Sequence, residues 1–512
     1  MQKRLTTEAA SPALLVTILL LAALEFLQSG MIGFAAGPIM GELGASPEEY
    51  SLATAVYACV AIATISKQRW LVERLGWRTF VLASLSTFIA GCLICASGHS
   101  YHAFVFGRAV MGLGGAAFMT SGRVIINLIP PSPRRFTGIK FFATGLAMGI
   151  AFAPGLAAFA VAHDEWRGIF GILIAVALAT ALSAALSLPD DLVERDLRSQ
   201  SHPILFMALT CGSFLLLYAL QRSQYDFFGD VTMLVAGTAC GVLALYYFGR
   251  ASWRHERPLI GIQALKHPRY LVGVGLFTLC YVLLGANNYV LPMLMQRTMG
   301  FAWQTVGRIQ SIGLLSALAA WLVMAWVIPK SPGPRKFFVA GFLALAMFGW
   351  QLSRLNGEAS LWSDVLPALM CNGIFLMFVM ATTAMQTFRD VQHHESVLSH
   401  AQQLKNMLAQ FGTAFGVATS TLTLQWRATE HYNALNVHFN PGDPIYRQTL
   451  GILTQAFASQ GAGTQAEPMA FAQLAQWLSQ QSMLLACLDY FTGIVAVGLI
   501  GAGVMLYQRL MR

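Results

Sequence analysis

Four ionisable side chains stand inside long apolar stretches of this sequence: Glu25, Arg108, Arg123 and Asp489. Such a group at membrane depth costs about 2.5–3.5 kcal/mol on insertion scales, so each needs a reason to be there. Glu25 has the chemistry of a proton carrier. Low dielectric favours the neutral carboxyl and a nearby guanidinium favours the charged one, and the balance lets the group change state. Arg108 and Arg123 lie about 22 Å apart along a helix and about 60° apart around it, so both can face one cavity. One is expected to pair with Glu25 and the other to hold a substrate or a gate. Asp489 is expected to face an outer vestibule or to cap local backbone.

Substrate contacts in such a setting should be apolar, with a few amides. Gln28, Asn287, Asn288, Tyr289, Gln296 and Asn372 are the candidates. Each amide could equally serve as a helix–helix hydrogen bond. An enzyme would need a nucleophile, an acid–base pair or a metal cluster at one depth, and the span carboxyls are scattered instead. His393 and His394 adjoin in a loop and are not read as a metal site. The eight cysteines all fall in apolar runs, so the CxxC of Cys92 and Cys95 reads as packing. No GxxxxGK[ST] phosphate loop is present.

The elements that must position these residues follow from composition. The chain has 512 residues, 56% hydrophobic and 11% charged. Soluble domains carry about a quarter charged residues. A polytopic membrane protein is implied, and a soluble enzyme, a disordered chain and a coiled coil are excluded. A helical span needs about 20 apolar residues. Fourteen runs qualify: 13–40, 50–66, 79–98, 103–129, 136–162, 168–188, 203–220, 231–249, 270–296, 304–328, 336–354, 361–386, 403–426 and 483–508. They lack the alternation of barrel strands, so helices are expected.

Basic residues orient them. With the N-terminus in the cytoplasm, 23 of the 32 Lys and Arg fall on cytoplasmic segments, Lys405 among them, and 7 on the opposite side. Both termini are then cytoplasmic. The net charge of +9 is met by anionic lipid headgroups and needs no nucleic acid. The longest cytoplasmic connections, 189–202 and 250–269, bracket the seventh and eighth runs. The expected organisation is a six-helix bundle over 1–200, two inserted helices and a linker over 201–269, and a second six-helix bundle over 270–512. Residues 427–482 form a long outer segment within the last part. Glycines cluster in the fourth and fifth runs, where small residues permit close helix packing. Pro154 should kink the fifth, since it removes a backbone donor.

At these residues the chain resembles the major facilitator superfamily. It most resembles the fourteen-span drug:proton antiporters of EmrB/QacA type. "FVFGRAVMGLGGAA" is similar to that family's fourth-span motif, and Arg108 takes the place of the arginine implicated in proton coupling. The antiporter motif of span five appears around Gly149, Ala153, Pro154, Gly155, Ala157 and Ala158, with alanines for its last glycines. "EWRGIF", "RPLIGIQALKHPRY" and "QSMLLACLDYF" also follow the family pattern. The loop after span two reads "RWLVERLGWR", with Arg69 for a glycine and Glu73 for an aspartate. Glu73, Arg74, Gly76 and Arg78 are its gating candidates. Where the family places a span-one aspartate this chain has Gln28, and Glu25 lies one turn earlier on nearly the same face.

The resemblance implies an inner-membrane exporter that exchanges protons for amphipathic or aromatic compounds. Its energy source would be the proton gradient, with no bound cofactor. It also implies a periplasmic adaptor (a membrane fusion protein) and an outer-membrane channel as partners. A dedicated exporter of one metabolite, such as a siderophore or an aromatic acid, and a proton-independent facilitator are the alternatives.

Overall fold

The computed structural model describes residues 11–129, 133–164, 166–189, 199–200, 202–226, 230–255, 259–331, 333–357, 359–391, 395–437, 439–440 and 442–511. His393 and His394 lie outside them. Among the described residues every regular element is helical.

Helix α1 (Pro12–Phe34) starts on Ser11, whose Oγ accepts from the Leu14 amide at 3.2 Å, with proline at the first helical position. A short α2 (Ala36–Leu43) follows. The start of α3 (Pro47–Leu75) is fixed by a reciprocal capping box between Ser46 and Glu49. The chain then turns sharply on Gly76, whose φ of 80° is open to glycine, into α4 (Trp77–Ser97). The glycine-rich fourth run is two pieces, α5 (Tyr101–Gly115) and α6 (Ala117–Leu128), joined at Ala116. Helix α7 (Pro133–Asp164) stays helical through Pro154. The Gly155 amide beside it donates to Ser311 Oγ at 2.8 Å. Helix α8 (Gly168–Ser187) completes the first group.

Two helices intervene, α9 (Pro203–Asp226) and α10 (Val231–Arg254). The second group contains α11 (Pro268–Pro292), which continues as a π-helical turn over Met293–Thr298, then α12 (Trp303–Val327) and α13 (Arg335–Leu352). It ends with α14 (Leu366–Thr387), α15 (Glu395–Asn436), α16 (Pro444–Ser459) and α17 (Ala466–Tyr507).

Among the described residues, twelve helical segments are long and apolar enough to cross a membrane. The runs 336–354 and 403–426 fold as α13 and α15 but fall short of that measure. Helix α13 has only 18 residues and opens on Arg335 and Lys336. Helix α15 carries a ladder of amides and Lys405. By this measure twelve of the fourteen runs qualify among the described residues.

In the first group α1 packs on α7 and α8, and α5 on α3 and α4. In the second, α11 packs on α15, α12 on α14, and α13 on α14 and α17. The groups meet along two seams, α7 against α12 and α3 against α15. Helix α9 leans on α3 and α15 from outside, and α10 leans on α9. Outward-facing leucines such as Leu178, Leu182 and Leu186 are exposed, as a lipid-facing surface requires. The segment 427–482 is largely helical. It comprises the end of α15, α16 and the start of α17, and α16 buries no residue.

Candidate functional site

The seam between the groups encloses the polar centre of the molecule. A cavity of about 50 Å³ lies there. Its walls come from α1, α3, α5, α6, α11 and α15. Glu25 is the one acidic side chain on them and Arg108 the one basic side chain. Tyr50, Tyr57, Tyr281 and Tyr289 supply aromatic surface.

Glu25 does not meet either arginine directly. Its Oε1 accepts from Gln410 Nε2 at 2.7 Å, a bond from α15 across to α1. Its Oε2 is buried and meets no hydrogen-bond partner among the described residues. That orphaned oxygen is a position for a proton or for a donor on a ligand. Arg108 instead donates to Gln28 Oε1 at 3.2 Å, and Gln28 Nε2 donates to the Tyr57 hydroxyl at 2.9 Å. The guanidinium stacks 4.2 Å above the Tyr57 ring. Gln28 therefore occupies the place beside Arg108, and Glu25 stands apart from it on the same cavity wall. The physical reason is reach: Arg108 meets the nearer polar side chain of α1, while Gln410 comes across from α15. Arg123 does not line this cavity, although Met119 of the same helix α6 does.

Helix α15 carries residues that sequence reasoning passed over. Gln403, Asn406 and Gln410 share one helical face at spacings of three and four. Gln403 Nε2 donates to the Ile65 carbonyl at 2.9 Å, and Asn406 Nδ2 to Thr120 Oγ1 at 2.5 Å. With Gln410 they lace the second group to the first. Lys405 is not a solvated loop residue. It is 3% exposed, with its ammonium 5.0 Å from the Phe277 ring centroid and 5.8 Å from that of Tyr281. The "QQLKNMLAQ" pattern, polar at helical spacing inside a span, is the signal that could have revealed this face.

Contacts between the groups bracket the cavity along α15. Beyond one end, Arg69 Nη1 lies 3.0 Å from His400 Nε2. Beyond the other, Gln425 Nε2 donates to Glu48 Oε1 at 3.0 Å. The rings of Tyr50 and Tyr289 stack at 6.2 Å on the cavity wall.

A second, adjoining space of about 30 Å³ lies between α1, α7, α11, α12 and α14. Asn287, Asn288 and Asn372 line it, together with Pro154, and Asn288 borders both spaces. Asn287 Nδ2 donates to Asn372 Oδ1 at 3.4 Å, and the Tyr490 hydroxyl donates to Asn287 Oδ1 at 2.8 Å. Gln28 and Tyr289 line the first space. Gln296 lines neither; it sits in the π-helical turn, half-buried.

Of the gating candidates, Glu73 is the best anchored. It accepts from Arg69 Nε at 2.7 Å and from the Ser199 amide at 2.6 Å. Arg74 donates to the Trp70 and Ser199 carbonyls. Gly76 makes the turn, and the Arg78 side chain is exposed. A Cβ on Gly149 would stand 2.7 Å from the Ala23 carbonyl oxygen, so α7 approaches α1 at glycine distance. Gly155 lies across the seam from Ser311. Asp489 faces none of the polar centre: it accepts from Arg427 Nε and His431 Nε2, each at 2.7 Å, where α15 meets α17.

The profile of the Major Facilitator Superfamily matches residues 18–417. The chain belongs to that superfamily. It is similar to "Uncharacterized MFS-type transporter YhcA" of Bacillus subtilis, 22% identical over 85% of this chain and 80% of that protein. It is likewise similar to "Putative multidrug resistance protein MdtD" of Salmonella typhi, 23% identical over 80% of this chain and 85% of that one. Among solved structures, a bacterial homologue of the human lysosomal transporter Spinster, inward-facing and unoccupied, superposes with a TM-score of 0.58 at 12% identity. That match covers 97% of this chain and 98% of the other. The human organic anion transporter MFSD10 superposes at 0.55 and 12% identity, over 96% of this chain and 99% of that one. At these identities the structural matches establish the fold. The protein is a polytopic membrane transporter of this superfamily and not an enzyme.

Proposed function

We propose that this transporter is a fourteen-span exporter of the bacterial inner membrane, exchanging external protons for amphipathic or aromatic compounds. Helices α13 and α15 are taken as the two further spans, and both termini as cytoplasmic. The observation that carries the reading is Glu25. A buried carboxyl, bonded across the seam to Gln410 and with its second oxygen unmet, is placed to bind a proton and a substrate alternately. Ionised, it holds α15 and offers an acceptor to a ligand donor. Protonated, it loses the negative charge and part of its hold on the opposite group. A two-state rocking equilibrium is biased by any such differential contact. The outer segment around α16, which buries nothing against the bundle, is offered as the contact for a periplasmic adaptor leading to an outer-membrane channel.

The test is substrate flux in reconstituted vesicles with and without an imposed pH gradient, comparing wild type with Glu25→Gln. Gradient-driven transport should vanish in the variant while exchange without a gradient persists. Flux in wild type that ignores the gradient would leave a facilitator on the same fold.

A further inference from the structure

The buried charges around the cavity do not balance. Glu25 contributes one negative charge. Arg108 contributes one positive charge on the wall, and Lys405 contributes a second just behind it. Lys405 meets aromatic rings only; no hydrogen-bond acceptor reaches its ammonium among the described residues. Tyr281, one of those two rings, is itself part of the cavity wall and stacks on Phe26 at 6.3 Å. The lysine is therefore separated from the cavity by one aromatic layer, in a region of low dielectric where charge is poorly screened. Glu25 is its electrostatic neighbour of opposite sign and Arg123 one of the same sign.

We propose that Lys405 sets the charge selectivity of the cavity. It excludes lipophilic cations and leaves a site for uncharged, phenol-like aromatic compounds. This deepens the exporter reading above and rests on it. With Glu25 ionised and Lys405 protonated, Glu25, Arg108 and Lys405 sum to one positive charge, and Arg123 adds a like charge near Lys405. A permanent cation entering the cavity would add to it, with Glu25 shared between that cation and Lys405. An uncharged phenol meets no such repulsion. Its hydroxyl can donate to the unmet Oε2 of Glu25, and its ring has the tyrosine walls to pack against. Protonation of Glu25 removes that acceptor charge and favours release, so an uncharged substrate fits exchange against a proton.

The test uses two probes that differ in one atom. The first is para-tert-butylphenol and the second is para-hydroxyphenyl-trimethylammonium, in which a cationic nitrogen replaces the quaternary carbon. Equilibrium binding to the purified full-length protein is measured without any gradient. Wild type should bind the phenol at least about tenfold more tightly than the cation, a modest charge effect at low dielectric. Lys405→Met should bring the two affinities together by strengthening the cation, and Lys405→Arg should keep them apart. Lys405→Gln serves as a second neutral variant should the methionine variant fail to fold.

Equal affinities in wild type, an unchanged ratio in both neutral variants, or binding of neither probe would each overturn the proposal. Failure of the exporter reading looks different. Flux would then ignore the pH gradient and Glu25→Gln, whatever the ratio of the two probes.

Discussion

Each group of helices holds a polar cluster beside the central spaces, and the two differ in kind. In the first, Gln28 of α1 bridges Tyr57 of α3 and Arg108 of α5, so a fixed positive charge sits in the cluster. In the second, Asn287 of α11 bridges Asn372 of α14 and Tyr490 of α17, and no charge is involved. Both clusters tie the first long helix of a group to two others. Only the charged one shares its cavity with Glu25. A neutral amide bridge fixes helices without responding to a proton, whereas a guanidinium near an ionisable carboxyl feels every change of its state. On the proposed exchange mechanism, energy coupling falls to the first group together with α15, and helix registration and substrate shape fall to the second.

The largest expected effect comes from breaking the charged cluster. Arg108→Gln removes the buried charge and frees Gln28 and Tyr57. Gradient-driven flux should fall by about 5–150-fold, the usual span of a coupling free energy. Arg108→Lys should recover part of it, since the charge returns without the planar stack on Tyr57. The readout is the ratio of flux with and without a pH gradient. If Arg108→Gln slows both fluxes equally, the charged cluster is structural and the two clusters are alike after all.

The neutral cluster should respond less and differently. Asn287→Ala and Asn372→Ala each remove an interhelical hydrogen bond, for which membrane double-mutant cycles give about 0.6 kcal/mol on average and about 1.7 at most. Thermal unfolding of both single variants and the double variant measures that coupling. Apparent affinity for bulky substrates should change, because both residues line the second space. The dependence on the pH gradient should not. A changed gradient dependence in Asn372→Ala would move coupling into the second group.

Sequence alone reached the all-helical transporter fold because lipid leaves few alternatives for runs this long and apolar. It also brought Glu25, Gln28, Arg108, Asn287, Asn288, Tyr289 and Asn372 to two adjoining spaces. Pairing was not legible. Whether Arg108 meets Glu25 or Gln28 depends on helix rotation to within a residue, and on Gln410 arriving from a helix nearly four hundred positions away. Lys405 was misplaced for a related reason. Basic residues are counted to the nearer loop, and only its burial against Phe277 and Tyr281 shows that α15 carries it inside.

Asp489 supplies the smallest effect and the control for the comparison. Intolerance of carboxylates by lipid singled it out alongside Glu25, but the two have opposite surroundings. Glu25 is buried with one oxygen unmet. Asp489 is 38% exposed at its side chain and is already held by Arg427 and His431, with Arg427 also paired to Glu430. Exposed networks of this kind contribute about 0–1 kcal/mol, because water screens the charges and ordering long side chains costs entropy. Asp489→Asn keeps the size and loses the charge. Its unfolding midpoint should therefore stay within about 1 kcal/mol of wild type, and its gradient-driven flux should be unchanged. Loss of flux without loss of stability would mean that the α15–α17 junction moves in the cycle. Helix α15 would then carry coupling along its whole length, from the Gln410 bond to Glu25 up to this outer network.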